Sequence, residues 1–242
     1  MNDHDLAAAL ATRAGELLLA VRRELADAPA DERKAAGDAR SHDYLMEELA
    51  AARPDDAVLS EEGADDSARL SADRVWIVDP LDGTREFSEP ERLDWAVHVA
   101  LWSDGELAAG AVALPAQGVT LATPAVPAPP PPPAVPRILV SRTRPPAAAV
   151  AVCDALGGTL VEMGSAGAKV AAVVQGRAEI YVHAGGQYEW DSAAPVAVAA
   201  AAGLHASRID GSPLVYNRAD PLLPDLVVCR PQYAGAVLAA LR

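Results

Sequence analysis

The sequence predicts an α/β fold, and three observations support this prediction. Helical apolar spacing occupies residues 5–25, ahead of two short apolar runs of strand length at 57–62 and 74–79. Beyond residue 137, strand-like and helix-like segments alternate to the C-terminus. The chain has 242 residues, 51% of them hydrophobic, which is enough for a sizeable core and argues against disorder.

The first helix is predicted from apolar residues that repeat on one face. Asp3 or Asp5 can cap it, and its apolar face holds Leu6, Leu10, Leu17, Val21 and Leu25. The polar stretch 26–43 predicts a mobile loop. A second helix is then expected, capped by Asp38 or Ser41, and Pro54 ends it.

Strands are predicted where apolar runs are short. The strand at 57–62 runs into Glu61 and Glu62, and the unbroken apolar run at 74–79 predicts burial on both faces. The motif SDGE at 103–106 predicts a hairpin turn between the apolar segments on either side of it. PAQG at 115–118 predicts a further turn.

The segment 123–136 is rich in proline, which cannot donate to a sheet, so it is predicted to be loop or polyproline II. We interpret it as a stiff surface connector between an N-terminal half, 1–122, and a C-terminal half, 137–242, of one compact catalytic unit. The alternative is a ligand for a proline-recognition domain. The C-terminal half predicts strands in RILVS, TLVEMGS and AEIYVH and helices at 145–156, 166–175, 191–202 and 233–242.

Composition excludes some classes of function. The net charge of −14 disfavours binding to a nucleic-acid polymer, which needs clustered lysine and arginine. The N-terminus is acidic where a signal peptide needs basic residues, and the apolar run at 193–204 is too short to cross a membrane. Cys153 and Cys229 predict no disulfide framework, although a single bridge stays open. We therefore expect a cytoplasmic protein with no membrane association.

The stretch WIVDPLDGTREF at 76–87 carries the strongest chemical prediction. Asp79 and Asp82 follow an apolar strand, and two carboxylates held close together favour a bound cation. They offer hard oxygen ligands suited to Mg²⁺, with the Leu81 carbonyl between them. Gly83 and Thr84 then begin a helix whose free N–H groups could hold phosphate. The alternative is a turn in which both carboxylates cap backbone groups.

Three segments together resemble the inositol monophosphatase superfamily of Mg²⁺-dependent, Li⁺-sensitive phosphatases. They are SEE at 60–62, DPLDGTREF at 79–87 and WDSAA at 190–194, and the resemblance covers nearly the whole chain. It implies a layered αβαβα sandwich with the metal cleft between its two sheets, and it implies a homodimer. It also implies two or three Mg²⁺ ions, Li⁺ inhibition, and metal ligands at Glu61, Asp79, the Leu81 carbonyl, Asp82, Asp191 and, for a third ion, Asp38.

The resemblance also implies a mechanism. Glu61, which matches the first glutamate of the motif, and Thr84 position and deprotonate a water for in-line attack on phosphorus. Asp82 belongs to the catalytic set with them, because with Asp79 and Asp191 it holds the cation that stabilises the leaving oxygen. The N–H groups of Gly83 and Thr84 hold the phosphate oxygens.

Within the superfamily, the segments LVSRTR at 139–144 and GSAGAK at 164–169 resemble the CysQ branch of 3′-phosphoadenosine 5′-phosphate (PAP) phosphatases. The resemblance implies hydrolysis of PAP to AMP, linked to sulfate assimilation. It implies substrate contacts at Ser141, Arg142, Ser165, Lys169 and Asp191. Two alternatives stay open, namely a broader phosphatase acting on inositol 1-phosphate or fructose 1,6-bisphosphate, and a non-catalytic sensor of a phosphorylated ligand.

Overall fold

The computed structural model describes residues 1–142 and 145–242, and this part of the chain forms seven α-helices and ten strands. The helices are α1 (Asp3–Glu24), α2 (Ala30–Ala52), α3 (Thr84–Ser88), α4 (Ala147–Leu156), α5 (Ala166–Val174), α6 (Glu189–Ala201) and α7 (Pro231–Ala240). The strands are β1 (Ala57–Ser60), β2 (Arg74–Asp82), β3 (Ala96–Ser103), β4 (Glu106–Leu114), β5 (Val119–Ala122), β6 (Arg137–Ser141), β7 (Thr159–Met163), β8 (Ile180–Tyr188), β9 (His205–Ser207) and β10 (Leu222–Cys229).

The elements form five layers, which confirms the αβαβα sandwich. The first sheet has the order β1-β2-β3-β4-β5, and the second has the order β7-β6-β8-β10-β9. Helices α1 and α2 cover the outer face of the first sheet, and α4 and α7 cover the outer face of the second. Helices α5 and α6 lie between the sheets and contact both of them. Although α5 and α6 come from the second half of the chain, they therefore complete the core of the first.

Strand β2 is buried along its length from Val75 to Asp82, as its unbroken apolar run predicts. It is parallel to β1 and antiparallel to β3, so it lies inside the sheet rather than at its edge. Its two faces meet α2 on one side and α6 on the other. The C-terminal end of β2 contacts the middle layer of helices, because Asp82 accepts hydrogen bonds from the start of α5.

The prediction of a mobile loop at 26–43 is wrong, because α2 begins at Ala30 and runs through this polar stretch. Arg33 is buried, and its guanidinium donates to the carbonyl oxygens of Leu25, Ala26, Ala28 and Ser88. Gly37 packs against Phe87 and Leu81. A buried helix is usually recognised from a stripe of apolar residues. In this part of α2 the buried positions are instead an arginine that binds main-chain carbonyls and a glycine at a close contact.

The predicted turns are confirmed. Asp104 and Gly105 join β3 to β4 with φ values of 53° and 88°, as a two-residue hairpin turn of the primed type requires. A 3₁₀ turn at Pro115–Gln117 ends at Gly118 with φ 65°. The segment 123–136 contains no helix or strand and leads from β5 in one sheet to β6 in the other.

The structure also bears on the cysteines and on possible membrane-spanning helices. Cys153 and Cys229 are both free thiols, so they form no bridge. Among residues 1–142 and 145–242, no helix combines the length and apolar character that crossing a membrane requires.

Candidate active site

A β-bulge at the end of β2 brings the two motif aspartates to the same side. Asp79 pairs with His98 on β3, and Asp82 pairs with Ala96, so β2 has one residue more than its partner strand between these pairs. Without the extra residue, side chains three positions apart would point to opposite faces. Pro80 lies in the bulge, where its missing N–H breaks no ladder bond. The sequence DPLD thus aims both carboxylates into one cleft.

Asp191 completes an acidic cluster with these two residues. It lies in the first turn of α6, where its Oδ2 accepts a hydrogen bond of 2.7 Å from the N–H of Tyr188. One carboxylate oxygen from each of Asp79, Asp82 and Asp191 lies within 4.8 Å of the others. The predicted ligands from two distant segments of the chain are therefore together.

Glu61 extends this cluster from the turn after β1. Its carboxyl group is hydrogen-bonded to that of Asp79, which requires a shared proton when no cation is present. Burial, followed by the charge of Asp191, raises the pKa of Glu61 to about 7. Burial and the charges of Glu61 and Asp82 raise the pKa of Asp79 well above its ordinary value. Burial and Asp82 raise the pKa of Asp191 to about 6.

Asp82 differs from its neighbours because the protein holds it in the ionised form. Its Oδ2 accepts hydrogen bonds from Ser165 Oγ at 2.5 Å and from the Gly167 N–H at 2.6 Å, and its Oδ1 accepts one from the Ala166 N–H at 3.1 Å. His98 Nε2 lies 3.2 Å from Oδ2. Burial acts to raise the pKa of Asp82, but His98 and these donors outweigh it and lower the pKa to about 2.

These groups fit a hard divalent cation. Four carboxylates that raise one another's pKa or share a proton are costly in a cleft, and a cation between them removes the repulsion. All the donors are oxygen atoms, which suit Mg²⁺. The buried Leu81 lies between the two aspartates, and its carbonyl accepts the Thr84 hydroxyl at 3.2 Å.

Thr84 and Asp38 lie at the rim of this cluster. Gly83 has φ 85°, which favours glycine, and it turns the chain so that α3 begins at Thr84. Thr84 Oγ1 is 3.4 Å from Asp38 Oδ1 and 3.2 Å from the Leu81 carbonyl. Burial, followed by the charge of Glu62, raises the pKa of Asp38 to about 6. The correction to α2 therefore places Asp38 on a helix, facing Thr84, rather than in a loop.

Ser165 and Lys169 lie at the start of α5 beside Asp82. Ser165 caps the helix, since its Oγ accepts the Ala168 N–H at 2.9 Å. Lys169 is buried, and its Nζ donates only to the carbonyl oxygens of Gly164 at 3.2 Å and Met163 at 3.4 Å, among the contacts described. It also lies 5.2 Å from the centre of the Tyr181 ring. Burial lowers the pKa of this lysine.

The other predicted substrate residues lie at the end of β6. Ser141 lines a cavity of about 270 Å³ together with Tyr181 and His183. Arg142 donates to both carboxylate oxygens of Glu89 at 3.0 and 3.1 Å, and it is 2.8 Å from Glu86. Its charge is thus held by two glutamates near α3. Thr143 and Arg144, which complete the segment 139–144, lie outside the described residues.

His98 is a part of the site that the sequence analysis does not identify. It is fully buried, with Nδ1 3.0 Å from the Trp190 carbonyl and Nε2 facing Asp82. Gly167 makes room for it, because a Cβ at that position would lie 1.9 Å from His98 Nε2. A histidine in the middle of the apolar strand WAVHVALW was the available signal, but only the pairing of β2 with β3 shows its partner.

The comparisons with known proteins agree with this geometry. The pattern of the inositol monophosphatase family matches residues 3–125 and 142–242. The chain is 54% identical over 237 residues to a Mycobacterium tuberculosis protein named 3′-phosphoadenosine 5′-phosphate phosphatase, covering 94% of this chain and 89% of that protein. It is 31% identical over 200 residues to Escherichia coli 3′(2′),5′-bisphosphate nucleotidase CysQ, covering 78% and 81%.

Solved structures show the same fold. The crystal structure of CysQ from Bacteroides thetaiotaomicron superposes with a TM-score of 0.75 at 25% identity, covering 93% of this chain and 96% of that one. Inositol monophosphatase II from Staphylococcus aureus superposes with a TM-score of 0.79 at 20% identity, covering 96% and 91%. The chain belongs to the inositol monophosphatase family.

Proposed function

We propose that this protein is a Mg²⁺-dependent phosphatase that hydrolyses PAP to AMP and inorganic phosphate. The observation that carries the chemistry is the cluster of Asp79, Asp82 and Asp191, with Glu61 beside Asp79, because these four carboxylates are costly to ionise together unless a cation lies between them. The observation that favours PAP is the 54% identity to a protein named for that activity.

The residues of the cluster have separate tasks in this proposal. Glu61, Asp79, Asp82, Asp191 and the Leu81 carbonyl hold Mg²⁺, and Asp38 stays the predicted ligand of a third ion. Bound Mg²⁺ supplies positive charge for the phosphate and the leaving oxygen and lowers the pKa of the attacking water. The Thr84 hydroxyl donates its one proton to the Leu81 carbonyl or to Asp38 Oδ1, so the lone pairs of Oγ1 can accept a hydrogen bond from the water.

The proton and bond changes follow from these positions. Thr84 orients the water, and the Glu61 carboxylate accepts its proton. The water oxygen would bond to phosphorus as the bond from phosphorus to the 3′-oxygen breaks. That oxygen would take up a proton from solvent water, and Glu61 would return its proton to solvent. Gly83 and Thr84 stay the predicted amide donors to the phosphate oxygens.

The second phosphate of PAP needs positive charge away from the acidic cluster, and Lys169 supports such a subsite. It is buried with no carboxylate among its described hydrogen-bond partners, and the ring beneath it, Tyr181, lines the same cavity as Ser141. Ser165 stays a predicted substrate contact, in addition to its bond to Asp82. Arg142 would have to exchange Glu86 or Glu89 for a phosphate, so its predicted contact requires a rearrangement.

The test is phosphate release by the purified protein with Mg²⁺ from PAP, inositol 1-phosphate and fructose 1,6-bisphosphate, each with and without Li⁺. The expected result is a clear preference for PAP and inhibition by Li⁺. Comparable rates on all three substrates would replace the PAP assignment with a broad phosphatase. Absence of release from all three, together with measured Mg²⁺ binding, would support the sensor.

A further inference from the structure

A buried arginine, Arg69, links two of the segments that carry predicted metal ligands, namely the segment after Glu61 and the helix that carries Asp191. Only 1% of its side chain is exposed, and it lies in the 3₁₀ turn Ser67–Ser71, eight residues after Glu61. Its Nε and Nη2 donate to the two carboxylate oxygens of Asp65 at 2.6 and 2.9 Å. This bidentate pair fixes the loop that runs on from Glu61.

The same guanidinium also binds the loop in front of β10. Arg69 Nη1 donates to Asn217 Oδ1 at 2.8 Å, and Nη2 donates to the Arg218 carbonyl at 2.9 Å. Asn217 returns a hydrogen bond of 3.2 Å to the Arg69 carbonyl. Its φ of 57° is an αL conformation that asparagine tolerates and that directs its amide toward the arginine.

The loop at 217–218 is in turn bound to the first residue of α6. The fully buried Glu189 accepts the N–H of Asn217 at 2.7 Å and the N–H of Arg218 at 2.8 Å. Glu189 lies two residues before Asp191. A chain of hydrogen bonds therefore runs from Asp65 through Arg69, Asn217 and Glu189 to the helix end that presents Asp191.

We propose that Arg69 is a positioning residue that fixes the Glu61 segment relative to the Asp191 helix and so sets the affinity of the site for Mg²⁺. Arg69 is buried but its partner Asp65 is 39% exposed, and such partly exposed ion pairs add little net stability, so a guanidinium with four bonds to two segments is better explained by the geometry that it enforces. Residues that orient metal ligands from behind typically change metal affinity about 10–100-fold when they are replaced. The inference rests on the proposed function, since it requires a cation in the cleft.

The test compares Arg69→Lys with Arg74→Lys in the full chain. A lysine has no planar fork, so it cannot bond Asp65, Asn217 and the Arg218 carbonyl together. Arg74 is the matched control, because it forms an equally bidentate pair with Asp56, at 2.8 and 3.0 Å, but at the opposite end of β2 from the aspartates. Mg²⁺ affinity is measured by calorimetry, stability by thermal unfolding, and kcat and KM for PAP at saturating Mg²⁺.

We expect Arg69→Lys to weaken Mg²⁺ binding by roughly tenfold or more, while KM for PAP at saturating Mg²⁺ changes less than twofold. Arg74→Lys should lower the unfolding temperature and leave Mg²⁺ affinity unchanged. If Arg69→Lys does not fold, Asn217→Gly is the second variant. It removes the hydrogen bond from Arg69 Nη1 to Asn217 Oδ1 and keeps the αL conformation, and it should also weaken Mg²⁺ binding.

The results separate this inference from the proposed function. Wild-type Mg²⁺ affinity in both Arg69→Lys and Asn217→Gly would overturn the positioning role and leave the phosphatase standing. If the wild-type protein binds Mg²⁺ but hydrolyses PAP slowly, and the variants bind Mg²⁺ more weakly, the positioning role stands and the assignment of PAP as the substrate is overturned. Failure of the wild-type protein to bind Mg²⁺ would overturn both.

Discussion

Replacing Gly167 by alanine tests how α5 and His98 hold Asp82. A Cβ at this position would lie 1.9 Å from His98 Nε2 and 2.8 Å from Cε1, whereas ordinary contacts begin at 3.4 Å. His98 is fully buried and is 3.2 Å from Asp82, so the ring cannot move by the missing 1.5 Å (3.4 − 1.9) without leaving the carboxylate. The backbone N–H that donates to Asp82 is the same in both residues, so the methyl group alone is tested.

The expected cost is the sum of two effects. Inserting a methyl group into a packed core costs about 1–3 kcal/mol, and moving His98 away from the carboxylate that it faces at 3.2 Å costs about 1.5–3 kcal/mol. The helical preference for alanine returns at most about 1 kcal/mol. We therefore expect Gly167→Ala to lose about 3 kcal/mol of unfolding free energy and to bind Mg²⁺ more weakly.

Urea titration followed by circular dichroism measures the loss of unfolding free energy, and calorimetry measures the affinity for Mg²⁺. Gly235→Ala is the matched control, because Gly235 also lies in a helix, α7, and a Cβ there meets nothing within 4 Å. It should gain about 0.5–1 kcal/mol. A Gly167→Ala protein with wild-type stability and Mg²⁺ affinity would refute the close packing of His98 against this helix.

Three further predictions concern the cluster and the substrate. Asp82→Asn should abolish Mg²⁺ binding and phosphate release together, and near-normal turnover at normal Mg²⁺ would contradict the assignment of Asp82 as a ligand. Mg²⁺ affinity measured by calorimetry should rise between pH 5 and pH 8, because Glu61 and Asp191 must lose their protons before they bind the ion. Their pKa values are about 7 and about 6. An affinity independent of pH would contradict this prediction. Lys169→Met should raise KM for PAP roughly tenfold and leave KM for inositol 1-phosphate unchanged, since only PAP has a second phosphate; an equal effect on both would give Lys169 a structural role instead.

The same raised pKa values give a sign for stability in the absence of Mg²⁺. The folded protein holds protons on Glu61, Asp79 and Asp191 more tightly than the unfolded chain does. Their contribution is therefore neutral below the ordinary carboxyl pKa, and it becomes more destabilising as the pH rises from there, levelling off for Asp191 and Glu61 above about 6 and about 7. Thermal unfolding of Mg²⁺-free protein should show this decline, and a saturating concentration of Mg²⁺ should remove it.

The sequence predicted correctly those elements whose structure depends on residues close together in the chain. The apolar run before Asp79 gave the doubly buried strand, and Asp104-Gly105 gave the hairpin. Strand β10 was not predicted, because Pro224 interrupts it. The structure tolerates this proline where the pairing with β8 shifts between Leu223 and Asp225. The sequence analysis began the second helix too late, because an arginine such as Arg33 is usually a surface residue, whereas here it is buried.

The site was predicted as a set of residue types but not as a set of different charges. DPLD suggests two equivalent carboxylates, yet the pKa of Asp79 is raised and the pKa of Asp82 is lowered to about 2. The difference comes from segments far away in the sequence, namely His98, whose Nε2 is 3.2 Å from Asp82, and the start of α5, which donates to Asp82 and not to Asp79. One carboxylate is therefore ready for a cation at any physiological pH, and its neighbours become ready only as they lose protons. This division explains why binding of Mg²⁺ should release protons, and it makes the donors behind Asp82, rather than the motif itself, the elements that keep the site competent near neutral pH.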